Sequence, residues 1–269
     1  MGSLNSIYRV TRPGPGLLMA IRLTLSIAFL LLSSSTLDAK GSGSDDFVAG
    51  ELVCQVLVPS YIDSVNSQYG TTTKELLPET GTYLLNVPGG LNEDSLAAVV
   101  EANPNVIACQ PNYIMKAPEP VQASSPFLDE LTSGDVIGQP STSTLKLPQT
   151  QQVSTGSNVM VGIVDVGINL SHPLLQSKSI SGFDYVAGDP IANDEPGGIA
   201  SGHGTFVAGV VNLVAPDAQL VAYRVLDTAG SGDGFGIAKA IVQAVNDGCK
   251  VINLSMVMYA KHAATDKAI

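Results

Sequence analysis

The stretch from Val159 to Gly209 constrains this chain more than any other. It opens with a short apolar run, Val161-Gly162-Ile163-Val164, that ends on Asp165-Val166-Gly167. It closes on Ser201-Gly202-His203-Gly204-Thr205-Phe206-Val207-Ala208-Gly209. A continuous apolar run this short reads as a strand buried on both faces, the kind found in parallel sheets. A histidine between glycines, followed by apolar residues at helical spacing, reads as the head of a helix. An acid at the carboxyl end of a strand and a histidine at the head of a helix supply two members of a nucleophilic triad. The buried Asp fixes the imidazole tautomer, and the imidazole takes the proton of the nucleophile. Asp165 and His203 lie 38 residues apart, so only a fold can join them. The competing structural reading is an Asp that caps a turn and a His that caps a helix.

Strands alternate with helices around this stretch. Val159 to Asp165 reads as a strand, Phe206 to Leu213 continues the histidine helix, and Gln219 to Leu226 is a second strand. Gly236 to Asp247 is a helix with Ile237, Ala240, Ile241, Ala244 and Val245 on its apolar side, and Lys250 to Met256 is a third strand. This alternation implies a doubly wound α/β arrangement, a parallel sheet covered on both faces. Such sheets bind ligands beyond the carboxyl ends of their strands, where Asp165 is expected.

A different pattern precedes it. Gly50 to Val58 reads as a strand, and Tyr61 to Tyr69 as a helix with Ile62, Val65 and Tyr69 on one stripe. Two strands follow, Lys74 to Leu77 and Thr82 to Val87, turned through Pro78-Glu79-Thr80-Gly81. Asn92 to Ala102 reads as a helix capped by Asn92, with Leu96, Val99 and Val100 inward. Val106 to Ile114 closes the unit as a strand. The order β-α-β-β-α-β is a ferredoxin-like α+β unit. Its first and last strands are neighbours, which brings Cys54 and Cys109 close enough to bond. More often such residues are simply small buried hydrophobes, and that reading is preferred here. Cys249 is left over and is expected in the core.

The ends and the join have their own composition. Arg9, Arg12 and Arg22 precede a ten-residue apolar core, Leu23 to Leu32. That core is too short for a stable membrane span, so residues 1–40 read as a signal peptide for export, with a membrane anchor as the alternative. Residues 41–47 are a flexible spacer. Residues 117–146 carry many Pro, Ser, Thr and Gly and read as a linker between a small domain at 51–116 and a larger one at 147–269. A net charge of −11 argues against nucleic acid or an anionic membrane as partner.

The boxes at Asp165 and His203 resemble those of the subtilisin-like serine proteases, which read D-[ST]-G and H-G-T-x-V-A-G. The His box matches throughout, while Val166 stands where the family has Ser or Thr. Val106-Ile107-Ala108-Cys109-Gln110-Pro111-Asn112-Tyr113-Ile114 also resembles the closing strand of subtilase propeptides. The resemblance implies a secreted endopeptidase precursor with a polypeptide substrate. Its own propeptide would serve as intramolecular inhibitor and folding template. Asp165 and His203 would be catalytic, and Ser231-Gly232-Asp233 and Ser255-Met256-Val257 would be the strands that bind substrate. The second of these departs from the family's S-L-G-G, with Val257 and Met258 where glycines flank the specificity pocket. Leu174 replaces an Asp that holds calcium in many relatives, and the histidine helix lacks the matching insertion. That metal site is therefore expected to be absent, and no cofactor is implied. His172, in Ser171-His172-Pro173, is expected to have no catalytic role. The family's G-T-S-M-A nucleophile box and its oxyanion Asn do not occur in the 269 residues, so triad catalysis is not expected of this stretch alone. Two other readings remain: a non-catalytic product that acts through its propeptide-like domain as protease inhibitor or folding helper, and a pseudoprotease.

Overall fold

A computed structural model describes residues 6–9, 46–118, 138 and 140–258 of the chain. In chain order the strands are β1 (Ser6–Arg9), β2 (Phe47–Val56), β3 (Thr72–Leu77), β4 (Thr82–Asn86), β5 (Val106–Lys116), β6 (Met160–Asp165), β7 (Ser179–Asp184), β8 (Gln219–Arg224), β9 (Ser231–Asp233), β10 (Val251–Leu254) and β11 (Val257–Met258). The α-helices are α1 (Ile62–Tyr69), α2 (Glu93–Glu101), α3 (Pro140–Thr144), α4 (Leu147–Gln151), α5 (His203–Val214) and α6 (Gly234–Asn246). They fall into two compact units. Among the described residues, the first is built from β1, Met115–Gly232 and Gly236–Val257, the second mainly from residues 46–114 together with Asp233–Phe235.

The second unit has the expected β-α-β-β-α-β order, with strands paired as β5-β2-β4-β3. Both pairings of β2 are antiparallel. Leu52, Cys54, Val56, Tyr83, Leu85, Val106 and Cys109 form one buried face against Ile62, Val65, Ala97 and Val100 of the two helices. Asn92 caps α2 as anticipated, accepting a hydrogen bond from Ser95 N at 2.9 Å. Val99 is 56% exposed instead of inward. The buried stripe of α2 runs through Ala97 and Val100, with Leu96 beside it, and a 100° step places Val99 beyond its edge. The cysteines also correct the preferred reading. Cys54 and Cys109 sit directly opposite one another in the β2–β5 register and are joined as a disulfide. Cys249 is free and buried.

The first unit holds the parallel sheet, in the order β1-β10-β6-β8-β7. Strands β10, β6, β8 and β7 run parallel, and β1 adds to β10 antiparallel. Val161, Ile163, Leu220 and Ala222 point to one face, where Ala208 of α5 packs with Ile168, Leu175 and Ala192. Gly162 and Tyr223 point to the other, where Ala244 of α6 and Cys249 lie against Gly162. Burial on both faces is why β6 and β8 read as unbroken apolar runs.

Strand β7 escaped the sequence reading. Ser179-Ile180-Ser181-Gly182-Phe183-Asp184 has no apolar run, and its pairing with β8 carries an irregularity between Ser181 and Phe183. Gly182 is there for the Tyr223 ring, since a Cβ on it would lie 2.4 Å from Tyr223 Cε1. Within the stretch read as a linker, α3 is helical. The cleavage region of the signal peptide and most of that linker lie outside the described residues. Among the described residues no helix is long and apolar enough to cross a membrane.

The disulfide closes a loop of 55 residues in a small unit, where such a bond contributes about 4 kcal/mol by chain entropy. Replacing Cys54 and Cys109 together by Ser should lower the urea midpoint of the second unit. Hydrogen exchange should rise at Leu52–Val56 and stay unchanged at β6. Equal protection of β2 in both proteins would contradict this.

Candidate active site

Asp165 is the last residue of β6, and it is fully buried. Its Oδ1 accepts hydrogen bonds from Val166 N at 2.7 Å and from His203 Nδ1 at 2.7 Å. A carboxylate only accepts, so Nδ1 carries the proton and the tautomer is set. His203 is 1% exposed and is the first residue of α5. Asp165 Oδ2 is buried with no hydrogen-bond partner. Val166, itself buried, brings no hydroxyl to the carboxylate.

Glycines make this approach possible. Gly202 caps α5 with φ +90°. A Cβ on Gly204 would fall 2.1 Å from Gly167 O and 3.1 Å from Asp165 Oδ1, so the first turn of α5 lies flat against the Asp165 loop. Gly167 has φ +100°, and a Cβ there would meet Asn193 O at 2.5 Å. By contrast, Gly209 faces open space, and only Ala208 of that pair packs on the sheet.

The sequence reading missed Asp194. Gly202 has no side chain with which to cap α5, and the cap comes from this carboxylate instead. Asp194 Oδ1 and Oδ2 accept from Gly202 N at 3.0 and 3.1 Å, and Oδ2 accepts from Thr205 Oγ1 at 2.6 Å and Thr205 N at 3.4 Å. Burial pushes the Asp194 carboxyl above the usual Asp value and the Asp165 charge adds to this, while the bonds from Gly202 and Thr205 pull it back. A distant acid is invisible to local pattern reading. The only available signal was the missing cap at Gly202.

Of the remaining predicted residues, Ser231, Gly232 and Ser255 of the first unit follow the same ends of its strands. Val225 N and Leu226 N donate to Asp165 O, and Gly232 lies so close to Val225 O that a Cβ would clash at 2.0 Å. Ser231 N donates to Asp227 Oδ1. Leu254 pairs with Val164, which puts Ser255 next in line beside Asp165. Ser255 is buried and accepts from Asn253 Nδ2 at 2.9 Å. Met256 is half-buried, and Val257 starts β11. Asp233 belongs to the second unit, where it accepts from Asn112 Nδ2 at 3.0 Å. His172 stays apart from this arrangement, its Nδ1 accepting from Leu174 N at 3.3 Å. Leu174 packs against the core under α5. Among the described residues no cluster of three or more metal-binding side chains occurs.

Residues 156–266, which contain both members of the buried pair, match the subtilase family, Peptidase S8. This is a subtilase domain. Residues 34–112 match the fervidolysin N-terminal prodomain. Thermitase of Thermoactinomyces vulgaris is 35% identical over 122 residues, covering 42% of this chain and 42% of thermitase. The thermophilic serine proteinase of Bacillus sp. strain AK1 is 32% identical over 175 residues, covering 61% of this chain and 40% of its own length. The crystal structure of fervidolysin from Fervidobacterium pennivorans, a keratinolytic enzyme related to subtilisin, has the same fold. Its TM-score is 0.58 at 18% identity, over 87% of this chain and 38% of fervidolysin. The chain thus spans about two-fifths of the length of these curated relatives.

The subtilase domain depends on Gly204 more than on Gly209 of the same box. Gly204→Ala should destabilise the first unit by about 3 kcal/mol, the upper end for overpacking, because the clash is with backbone. Gly209→Ala should change stability little. Urea unfolding of the two variants checks this contrast, and equal midpoints would refute it.

Proposed function

We propose that this chain is the amino-terminal part of a secreted subtilisin-like serine endopeptidase precursor. The observation that carries the reading is the buried Asp165–His203 hydrogen bond of 2.7 Å, within a segment that matches the subtilase family. With Nδ1 committed to Asp165, Nε2 is the nitrogen that would take the proton of a serine nucleophile. The serine would attack the peptide carbonyl, His203 would pass the proton to the leaving amine, and water would then release the acyl-enzyme. Asp165 orients the ring and favours the imidazolium. The nucleophile and its oxyanion donor would come from sequence other than these 269 residues. Ser231–Asp233 and Ser255–Val257 would pair with an extended substrate backbone. Val257 and Met258 would narrow the pocket relative to glycines. The fervidolysin-prodomain match supports a small domain that acts on its own protease as inhibitor and folding template. Residues 1–40 would direct export.

The test uses the gene product that carries this chain together with a nucleophile box, assayed on a fluorogenic peptide. His203→Ala should lower kcat by about 10^6-fold. Undiminished hydrolysis would sink the reading. Val257→Gly in the same protein should raise activity if the pocket is blocked, as a pseudoprotease reading requires.

A second reading has one observation in its favour. The second unit closes its own apolar core and staples it with a disulfide. On this reading the chain works without catalysis, as a protease inhibitor. Titrated into a subtilisin, the chain should then inhibit hydrolysis at near-stoichiometric amounts. A folded chain that leaves the protease fully active removes this reading.

A further inference from the structure

Asp194 holds a position that local stability does not explain. A cap whose only task was to close a helix would serve best exposed, where its charge is cheap. This one is half-buried, and its ionised form is disfavoured by that burial and by the charge of Asp165. We propose that Asp194 is a positioning residue for His203, locking the first turn of α5 to the loop that follows Asp165. The proposal rests on the reading of Asp165 and His203 as a proton-transfer pair.

A closed circuit of hydrogen bonds joins the two segments. His203 rides on the first turn of α5, whose donors Gly202 N, Thr205 N and Thr205 Oγ1 all converge on the Asp194 carboxylate. Thr205 Oγ1 also accepts from Asn169 N at 2.9 Å. Asp194 N donates to Ile168 O at 3.2 Å, and Ile168 N donates to Ala192 O at 3.2 Å. Leu170 N donates to Asn193 Oδ1 at 3.3 Å. Residues 168–170 continue directly from Asp165-Val166-Gly167. Asp194 therefore touches both the helix that carries the histidine and the loop that leaves the aspartate. A hydrogen bond of 2.7 Å between two separate segments survives only if their offset is held to a few tenths of an ångström. Packing of Gly204 on Gly167 limits how close the segments come, whereas Asp194 limits their sliding.

The charge has a second effect. The titratable groups around Asp194 are Asp165, His203 and its own neighbour Glu195. Burial disfavours the ionised form of Asp194, and the charge of Asp165 adds to this. Because the folded carboxyl titrates above its unfolded value of 3.8, the stability it lends is full below that pH. It is lost as pH rises through the folded value. At neutral pH the fold thus keeps an acid that works against it.

The experiment is histidine-selective NMR on the whole chain, with His172 as internal reference. The wild type should show a strongly deshielded Nδ1 proton from His203. Asp194→Asn keeps an acceptor for the donors of the first turn and should retain that proton. Asp194→Ala removes the acceptor, and the deshielded proton should be lost while β6 and β8 amides remain protected. Should the Ala variant fail to fold, Thr205→Val removes the hydroxyl that joins Asp194 to Asn169 N, and an unshifted Nδ1 proton in that folded protein overturns the proposal. An unshifted Nδ1 proton in a folded Asp194→Ala protein overturns it as well. Neither readout involves peptide hydrolysis. Loss of the endopeptidase reading, through an active His203→Ala enzyme, would therefore be seen separately.

Discussion

The first unit hangs on a backbone contact without side chains. The first turn of α5 meets the loop after β6 where Gly204 and Gly167 face one another, at a distance that admits no Cβ. Every other feature of the site follows from that approach. It brings His203 within 2.7 Å of Asp165, and it leaves the helix end without a side-chain cap of its own. It also forces the next loop to press Asn193 against Gly167. A small residue at each contact is thus a geometric demand, set by three segments that share one volume. The parallel sheet supplies the frame. Since β6, β8 and β10 run the same way, their carboxyl ends open on one side, and Asp165, Val225 and Ser255 emerge together.

What could be read from the sequence was whatever repeats locally. Apolar runs gave away β6, β8 and β10, because burial on both faces leaves no polar alternation to confuse them. The helix at His203 and the cap at Asn92 announce themselves within four residues. The order of the ferredoxin-like unit followed from period alone, and with it the adjacency of Cys54 and Cys109. Adjacency did not decide their bond. That depended on register, and the two residues stand directly opposite, a fact that a one-residue slip would have abolished.

The rest was hidden for physical reasons. Strand β7 is mixed in composition because it lies at the sheet edge and spends Gly182 on the Tyr223 ring. Val99 looked buried because it is apolar, yet a nine-residue helix has room for one narrow stripe. Asp194 could not be found by any periodic signal. Its partners are eight and eleven residues away along a loop without regular structure. The contact of Gly204 with Gly167 was likewise hidden, because it joins two segments far apart in sequence.

The polar groups around His203 carry a cost that the remainder of the unit offsets. Asp165 Oδ2 is buried without a partner, and an unmet buried acceptor costs about 1–3 kcal/mol. Asp194 is held at a position where burial disfavours its ionised form. A chain selected only for stability would neutralise both, with a hydroxyl beside Asp165 and an amide at Asp194. The core beneath does the opposite, filling its space with Ile163, Ile168, Leu175 and Leu220 at full burial. Asp165 Oδ2 is not the only such atom, since Ser179 Oγ and Arg224 Nε are also buried without a partner among the described residues, but it is the one that stands beside His203. The proposed proton-transfer role of the pair fits this placement, because a purely structural bond would gain nothing from a second, half-buried acid at the head of the same helix turn.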